Sequence, residues 1–239
     1  MLEGKVGLIT GASSGIGEAI AKALSNHGVS LYLVGRNMEK LKNLSDLLVK
    51  KTTVRIFNTD VARDEDINRL SAYLIESTRR LDILVHSAGH FIMGGFEEVS
   101  IDDLDILYRI NVRAPFLITK NLLPLIKAAK GQIVFINSTA GLQARAGVSQ
   151  YAATKHALKA IADSLREEVN TYGVRVISIY PGRTATPMQI SVHKMEGRIY
   201  RPDLLMQPGD VAETVINALK LPETAEVTDI YIRPMKKIQ

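Results

Sequence analysis

A tyrosine and a lysine four residues apart are the first candidates for chemistry: Tyr151 and Lys155, in the segment Tyr-Ala-Ala-Thr-Lys. Residues with this spacing lie on one face of a helix. A phenol titrates near pH ~10, which is too high for efficient proton exchange at neutral pH, and a nearby ammonium favours the phenolate. Lowering that pKa by about 3 units requires roughly 4 kcal/mol, which a close charge in a partly dry site supplies. The pair is therefore a candidate for proton transfer by Tyr151 assisted by Lys155, although a tyrosine and a lysine at this spacing are common by chance.

A serine at the end of an apolar run is the second candidate. Ser138 follows the run Ile133–Asn137 and precedes Tyr151 by thirteen residues. Open α/β sheets bind ligands at the carboxyl ends of their strands. A hydroxyl at that place is suited to hydrogen-bond the carbonyl oxygen of a substrate.

A glycine-rich turn joins the first apolar run to a helical pattern. It reads Thr-Gly-Ala-Ser-Ser-Gly-Ile-Gly over residues 10–17, and Glu18 follows in place of the Lys-Ser/Thr of a P-loop. Glycines let the backbone approach a pyrophosphate, and the following helix N-terminus offers it unpaired N–H groups. The predicted contacts with the nucleotide are Gly11, Ser13, Ser14, Gly15, Ile16 and Gly17.

The end of the second predicted strand indicates which nucleotide binds. An acidic residue there would hold the adenosine ribose hydroxyls and repel a 2′-phosphate, but the sequence is Leu-Val-Gly-Arg-Asn over residues 33–37. Arg36 is suited to a bidentate contact with a phosphate, and Ser13 and Asn37 to further hydrogen bonds. NADP(H) is therefore preferred over NAD(H). The alternative is that Arg36 is a solvated side chain at a strand end.

Asp60 and Val61 end the third predicted strand. The carboxylate is placed to accept a hydrogen bond from the adenine amino group, and Val61 to pack on the adenine ring. Asp60 fits equally well in the N-cap region of the next helix, and the sequence leaves these alternatives open.

Seven short apolar runs alternate with stretches of helical period, which predicts one doubly wound α/β domain over residues 1–239, with a mostly parallel seven-stranded sheet and helices on both faces. Asn37 is expected to cap the second helix. A long helical stretch runs from Ser100 to about Ala129 and is expected to bend near Pro115 and Pro124. The predicted strands are Val6–Thr10, Ser30–Val34, Val54–Asn58, Asp82–His86, Ile133–Asn137, Val174–Ile179 and Ile230–Arg233.

The segment 184–207 lacks clear periodicity. An insertion after a late strand is typical of a substrate lid, and the alternative is a surface loop. Its apolar residues are mixed with cations such as Arg198 and Arg201, which would either attract an acidic substrate or face water.

Composition excludes several classes of protein. The 239 residues contain no cysteine, which excludes disulfide frameworks, thiolate nucleophiles and cysteine-ligated metals. No run approaches the ~20 apolar residues of a membrane span, and the N-terminal run is too short for a signal peptide, so a cytoplasmic protein with no membrane partner is expected.

The net charge of +5 comes without long basic runs and without tryptophan. It suits anionic metabolites, and no nucleic-acid partner is expected. His86 and His90 are four residues apart, but no third ligand is apparent, and no metal site is expected.

Jointly these features resemble the short-chain dehydrogenase/reductase family over nearly the whole chain. The matching residues, in family order, are 10–17, Asp60, Ala88-Gly89, Asn111, Ser138, Tyr151, Lys155 and Pro181-Gly182. The resemblance implies that Tyr151 is the acid in carbonyl reduction and the base in the reverse reaction. It also implies that Lys155 binds the nicotinamide ribose, that Ser138 orients the substrate oxygen, and that Asn111 holds a helix distortion and a water that relays protons to Lys155.

The same resemblance places further residues around the cofactor. Pro181 and Gly182 would flank the nicotinamide, and Thr184 or Thr186 would bind its carboxamide. Ser87 would lie beside the adenosine ribose, and Ala88 and Gly89 would also contact the cofactor. Where the family often has Asn-Asn, this chain has His86-Ser87. Its C-terminus resembles that of NADP-dependent reductases of small hydroxy acids and assorted carbonyls, rather than the glycine-rich end of many ketoacyl reductases.

The function implied is hydride transfer between NADP(H) and a carbonyl or secondary alcohol substrate, by a homodimer or homotetramer packed through the two long helices. A catalytically silent NADP(H)-binding sensor is the alternative. Sugar-nucleotide epimerases share the Tyr/Lys spacing, but they usually have a different glycine spacing and a longer C-terminal domain.

Overall fold

Continuous Val, Ile and Leu runs form a single parallel sheet. The computed structural model of the protein describes residues 2–235, and its sheet has the strand order β3-β2-β1-β4-β5-β6-β7 with parallel pairing throughout. The strands are β1 (Val6–Thr10), β2 (Ser30–Gly35), β3 (Val54–Asn58), β4 (Ile83–His86), β5 (Gln132–Ile136), β6 (Arg175–Pro181) and β7 (Asp229–Ile232). This confirms the predicted doubly wound fold.

Helices cover both faces of the sheet. They are α1 (Gly15–Asn26), α2 (Met38–Leu48), α3 (Asp64–Ser77), α4 (Ile101–Tyr108), α5 (Ala114–Ala129), α6 (Ser149–Val169), α7 (Pro187–Met195) and α8 (Pro208–Leu219). Apolar residues of α1, α2 and α8 pack in one cluster with Ile9 and Leu33. Those of α3, α5 and α6 pack in the other with Leu8 and Tyr32. Successive strand residues therefore supply two separate cores, because they point to opposite faces of the sheet.

The order of the strands reverses between β1 and β4. The first three strands extend the sheet in one direction from β1, and the chain then returns to its other side. The carboxyl ends of β1 and β4 thus flank the crevice at which doubly wound sheets bind ligands.

The stretch predicted as one long helix is interrupted. A π-helical segment, Arg109–Arg113, separates α4 from α5. Pro115 lies in the first turn of α5, where a helix tolerates a missing N–H group, and α5 continues through Pro124 to Ala129. The interruption thus lies upstream of both prolines that were expected to bend the helix.

The segment 184–207 is more ordered than its sequence pattern indicated, because it contains α7. Thr186 caps this helix by accepting a hydrogen bond from the Gln189 N–H at 3.3 Å, and Pro187 occupies the first turn. The ends of the segment are joined by a bridge between Thr184 and Met206. The start of this helix is set by its N-cap and by the proline in its first turn, not by an apolar repeat. A search for apolar periodicity therefore did not predict it.

Among the described residues, every helix is too short or too polar to cross a bilayer.

Candidate functional site

The carboxyl ends of the central strands border a cavity of about 270 Å³. Most of the residues predicted to bind cofactor or substrate line it, namely Gly11, Ser13, Ser14, Gly15, Ile16, Arg36, Asp60, Val61, Ser87, Ala88, Gly89, Ser138, Tyr151, Lys155, Pro181, Gly182, Thr184 and Thr186. Gly17, Asn37 and Asn111 are not among its lining residues. The fold therefore brings most predicted site residues to one place.

The glycine-rich turn packs directly on the loop that follows β4. Gly11 has φ +69°, and a Cβ atom there would lie 2.7 Å from the Ala88 backbone N. A Cβ atom at Gly17 would lie 2.4 Å from the Gly11 carbonyl O. Gly17 thus packs against the backbone of the turn rather than lining the cavity. Neither Gly11 nor Gly17 can be replaced by a larger residue without a clash with backbone atoms.

The first turn of α1 suits an anionic group. The backbone at Ser14, the N-cap residue, is extended, and its side chain caps no N–H of the helix. Those N–H groups and the positive end of the helix dipole stay directed at the cavity edge that Ser14 and Gly15 line. A dinucleotide pyrophosphate fits this place.

Thr10 belongs to the matched glycine-rich segment 10–17, but no role of its own was predicted for it from the sequence. Its hydroxyl accepts hydrogen bonds from the backbone N–H groups of Ser87 and Ala88, both at 3.2 Å. It thereby fixes the loop after β4 against the glycine-rich turn. A hydroxyl at the last residue of a central strand was the signal available in the sequence.

Arg36 follows β2 directly, is exposed and lines the cavity. Ser13 lies beside the same strand end, because a Cβ atom at Gly35 would come within 3.1 Å of the Ser13 hydroxyl O. Asn37 instead caps α2, where its side-chain O accepts a hydrogen bond from the Lys40 N–H at 2.9 Å. Its predicted contact with the nucleotide therefore competes with its predicted role as a helix cap.

Asp60 lines the cavity and does not cap α3, which begins four residues later with Arg63 at the N-cap. One carboxylate oxygen of Asp60 accepts a hydrogen bond from the Ala62 N–H at 3.0 Å. The neighbouring Val61 is buried. The sequence left open whether Asp60 contacts the nucleotide or caps the next helix. The structure places Asp60 in the cavity wall and gives the N-cap position to Arg63.

Tyr151 and Lys155 face the cavity from the first two turns of α6, and both are buried. The Ser138 side chain hydrogen-bonds the Tyr151 phenol. The Lys155 ammonium donates a hydrogen bond to the Ile136 carbonyl O at 3.1 Å, and its N atom lies 5.8 Å from the centroid of the Tyr151 ring. The end of β5 and the start of α6 therefore bring the three predicted polar groups together.

Burial controls the protonation of this group. It raises the pKa of Tyr151 to about 12, although the Ser138 hydrogen bond acts in the opposite direction. It also lowers the pKa of Lys155 to about 8. The shift at Tyr151 is opposite to the one expected from its spacing to Lys155, because desolvation opposes the charged phenolate. The phenol is therefore protonated at neutral pH.

Asn111 lies in the π-helical segment and is buried. Its side-chain O accepts a hydrogen bond from the His90 N–H at 2.8 Å, and its side-chain N donates to the His90 carbonyl O at 2.9 Å and to the Thr154 hydroxyl at 3.1 Å. Asn111 therefore joins the loop after β4 to the helix that carries Tyr151. The water relay implied for Asn111 stays a prediction.

Asn137, which also lines the cavity, was missed although it ends a predicted strand. Its side-chain N donates to the Lys155 carbonyl O at 3.1 Å, and its side-chain O accepts from the Ser138 N–H at 2.9 Å. Asn137 thus fixes β5 against α6. Other lining residues are Gly35, Thr59, Ile110 and Ile136, which were not predicted and whose types gave no distinct signal. Pro187, Met188 and Gln189 also line the cavity and lie in the segment 184–207 that was predicted as a lid.

His86 is part of the core beneath the site. Its side-chain Nε2 lies 2.8 Å from the Thr119 hydroxyl O, its ring stacks on Phe135 at 4.9 Å, and burial lowers its pKa to about 3. The folded protein keeps His86 neutral, whereas an unfolded chain protonates it below pH ~6.5. The resulting stability is complete above that pH and is lost as the pH falls toward about 3.

Lowering the pH from about 7 to about 4 is therefore expected to remove roughly 3 kcal/mol of unfolding free energy through His86 alone. Urea denaturation at both pH values measures this loss. The loss of unfolding free energy should be smaller by about 3 kcal/mol in His86→Asn than in the unmodified protein. His156→Asn, which alters an exposed histidine, should show the same loss as the unmodified protein. An equal loss in His86→Asn and the unmodified protein would contradict the assignment.

Comparison with known proteins extends these observations. Residues 5–197 match the model of a family described as short chain dehydrogenase. An uncharacterized oxidoreductase of Staphylococcus epidermidis is 34% identical over 97% of both chains.

Two solved structures have the same fold. An alcohol dehydrogenase from the archaeon Thermococcus sibiricus, complexed with 5-hydroxy-NADP, has a TM-score of 0.88 and 26% identity over 98% of both chains. L-sorbose reductase from Gluconobacter frateurii, complexed with NADPH and L-sorbose, has a TM-score of 0.89 and 26% identity, covering 99% of this chain and 98% of the reductase.

Proposed function

The chain belongs to the short-chain dehydrogenase family of oxidoreductases, and from this premise we propose that it transfers a hydride between NADP(H) and a carbonyl or secondary alcohol substrate. The observation that carries the proposal is the composition of one cavity. Its wall includes the helix N-terminus beside Ser14 and, at another part, Ser138, Tyr151 and Lys155. A nucleotide bound at the helix N-terminus and the Tyr151 proton donor would thus lie in the same cavity.

The residues present fit NADP(H). Gly11, Ser13, Ser14, Gly15 and Ile16 would hold the pyrophosphate, and Arg36 would pair with the 2′-phosphate, since no carboxylate stands at the end of β2 to repel it. The two solved relatives described above bind NADP-type nucleotides, which supports this assignment. Bound NADPH supplies the hydride.

The remaining lining residues fit the other parts of the cofactor. Asp60 and Val61 would contact the adenine, and Ser87, Ala88 and Gly89 the adenosine ribose. The nicotinamide would lie against Pro181 and Gly182, with Thr184 or Thr186 binding its carboxamide. All of these residues line the cavity.

The proton chemistry follows from the buried groups. With a pKa raised to about 12, Tyr151 holds its proton at neutral pH and is placed to donate it to the carbonyl oxygen of the substrate. Ser138, already hydrogen-bonded to the phenol, is placed to orient that oxygen. Lys155, whose pKa is lowered to about 8, is mostly protonated at neutral pH, and its ammonium stabilises the phenolate left behind. Asn111 positions this group by holding α6 to the loop after β4.

The segment 184–207 is proposed to be the substrate lid of this single domain. Thr186 lies against the glycine-rich turn, since a Cβ atom at Gly15 would come within 3.1 Å of its methyl group. Thr184, Thr186 and Met188 line the cavity. The lid therefore lies over the proposed cofactor, where it would limit the access of water.

Pairing of two copies through the long helices is proposed as well. Ile101, Tyr108 and Phe116, on α4 and α5, expose large apolar side chains. Burying this surface against a second copy would favour a homodimer or a homotetramer.

Consumption of NADPH with a panel of ketones, aldehydes, quinones and keto acids tests the proposed reaction. We expect saturable NADPH oxidation with at least one class of carbonyl compound. Tight NADPH binding without any oxidation across the panel would instead support a catalytically silent sensor.

A further inference from the structure

One polar group in the cavity wall has no partner. Gln189, on the first turn of α7, lines the cavity, and its side-chain carbonyl O is buried and receives no hydrogen bond from any described residue. Buried acceptors are nearly always paired in folded proteins, because leaving one unpaired is unfavourable. The geometry at Gln189 therefore calls for a hydrogen-bond donor that enters the cavity.

The arginines near the lid are already paired. Arg183 makes two hydrogen bonds to the Glu196 carboxylate, at 2.8 and 2.5 Å, and Arg198 approaches the same carboxylate at 3.8 Å. Arg201 pairs with Asp203 at 3.0 Å. The cations among the described lining residues are Arg36, at the end of β2, and Lys155, which holds the Ile136 carbonyl. Each of these three lid arginines contacts a lid carboxylate, and none of them lines the cavity, so none is placed there as a counter-charge for an acidic substrate.

We propose that Gln189 is a specificity-determining residue that accepts a hydrogen bond from a hydroxyl group of an uncharged hydroxy-carbonyl substrate. The inference rests on the proposed function, because it places the substrate carbonyl beside Tyr151. The donor that Gln189 lacks is then a neutral O–H group on the same molecule. The carboxamide N–H of the nicotinamide is another donor that this cavity would admit, and the experiment separates the two.

Three probes that differ in one substituent test the proposal: hydroxyacetone, acetone and pyruvate. Each is titrated into the NADPH complex of Tyr151→Phe, in which turnover is removed, and the fluorescence of bound NADPH reports the dissociation constant. The sequence contains no tryptophan to interfere with this signal. We expect hydroxyacetone to bind about tenfold more tightly than acetone, and pyruvate no more tightly than acetone.

The same titrations in Tyr151→Phe/Gln189→Leu identify the residue responsible. We expect this variant to lose most of the preference for hydroxyacetone. Gln132→Leu in the same background is the matched control. Gln132 also has a buried, unpaired side-chain O, but it lies at the amino-terminal end of β5 and does not line the cavity. This control variant should keep the preference.

Several results would overturn the proposal. They are the absence of saturable hydroxyacetone binding, a preference for pyruvate, and a hydroxyl preference that survives Gln189→Leu. Weaker NADPH binding in Gln189→Leu with an unchanged hydroxyl preference would assign the donor to the cofactor and also overturn it. Failure of the proposed function appears separately, as absent NADPH binding or as absent oxidation by the unmodified protein.

Discussion

Replacing Tyr151 with phenylalanine is expected to lower the turnover of NADPH with carbonyl substrates about a thousandfold, within the range that general acid catalysis contributes. Phenylalanine keeps the ring, which packs edge-on against Phe91 at 4.8 Å, and removes only the hydroxyl that Ser138 contacts. NADPH affinity should stay nearly unchanged, because the phosphate-binding part of the cavity is not altered. Steady-state rates and a fluorescence titration of NADPH measure the two quantities.

Tyr172→Phe is the matched control for this variant. It removes the hydroxyl of an exposed tyrosine that follows the end of α6 and packs against Lys127. Tyr172 does not line the cavity. The turnover of Tyr172→Phe should equal that of the unmodified protein. Near-normal turnover in Tyr151→Phe would show that another group delivers the proton.

Replacing Arg36 with aspartate is expected to change the ratio of kcat/KM for NADPH to that for NADH by about a hundredfold in favour of NADH. The substitution removes a charge-assisted hydrogen bond, worth ~1.5–3 kcal/mol, and places a carboxylate where it repels a 2′-phosphate and can accept from ribose hydroxyls. Measuring kcat/KM for both cofactors with one carbonyl substrate gives the ratio.

An equal change of charge elsewhere controls for long-range electrostatics. Arg79→Asp alters an exposed arginine that does not line the cavity. At moderate salt it should not change the ratio of kcat/KM for NADPH to that for NADH, since distant surface charges are screened. If Arg36→Asp leaves the ratio as it is, another residue recognises the 2′-phosphate.

Local sequence patterns predicted the sheet well. Each predicted strand overlaps an observed one, with ends that differ by a few residues at most: Val174–Ile179 was predicted, and β6 covers Arg175–Pro181. Strands buried on both faces appear as continuous apolar runs, and this signal does not depend on the partners of each strand. The gathering of Gly11, Ser138 and Tyr151 at one edge followed from their places at the ends of strands and starts of helices.

Local patterns were less informative where a different interaction defines the element. The π-helical segment around Asn111 has ordinary helical residues on both sides, and its distinguishing contacts, to His90 and Thr154, are distant in sequence. Asn37 showed a related conflict, because one side chain was assigned both to a helix cap and to the nucleotide. The structure shows the cap, whose partner, Lys40, is only three residues away.

The amino-acid sequence by itself determined the order of the seven strands, the glycine-rich turn, and the presence of Tyr151, Lys155, Ser138 and Arg36 at positions suited to chemistry. These follow from spacing along the chain, which a sequence contains in full. Only the tertiary structure decided the protonation of Tyr151, because burial by surrounding elements raises its pKa more than the Ser138 hydrogen bond lowers it. It also decided that the lid arginines pair with lid carboxylates and that the side-chain O of Gln189 lacks a partner among the described residues, since such pairing depends on which residues meet after the chain folds.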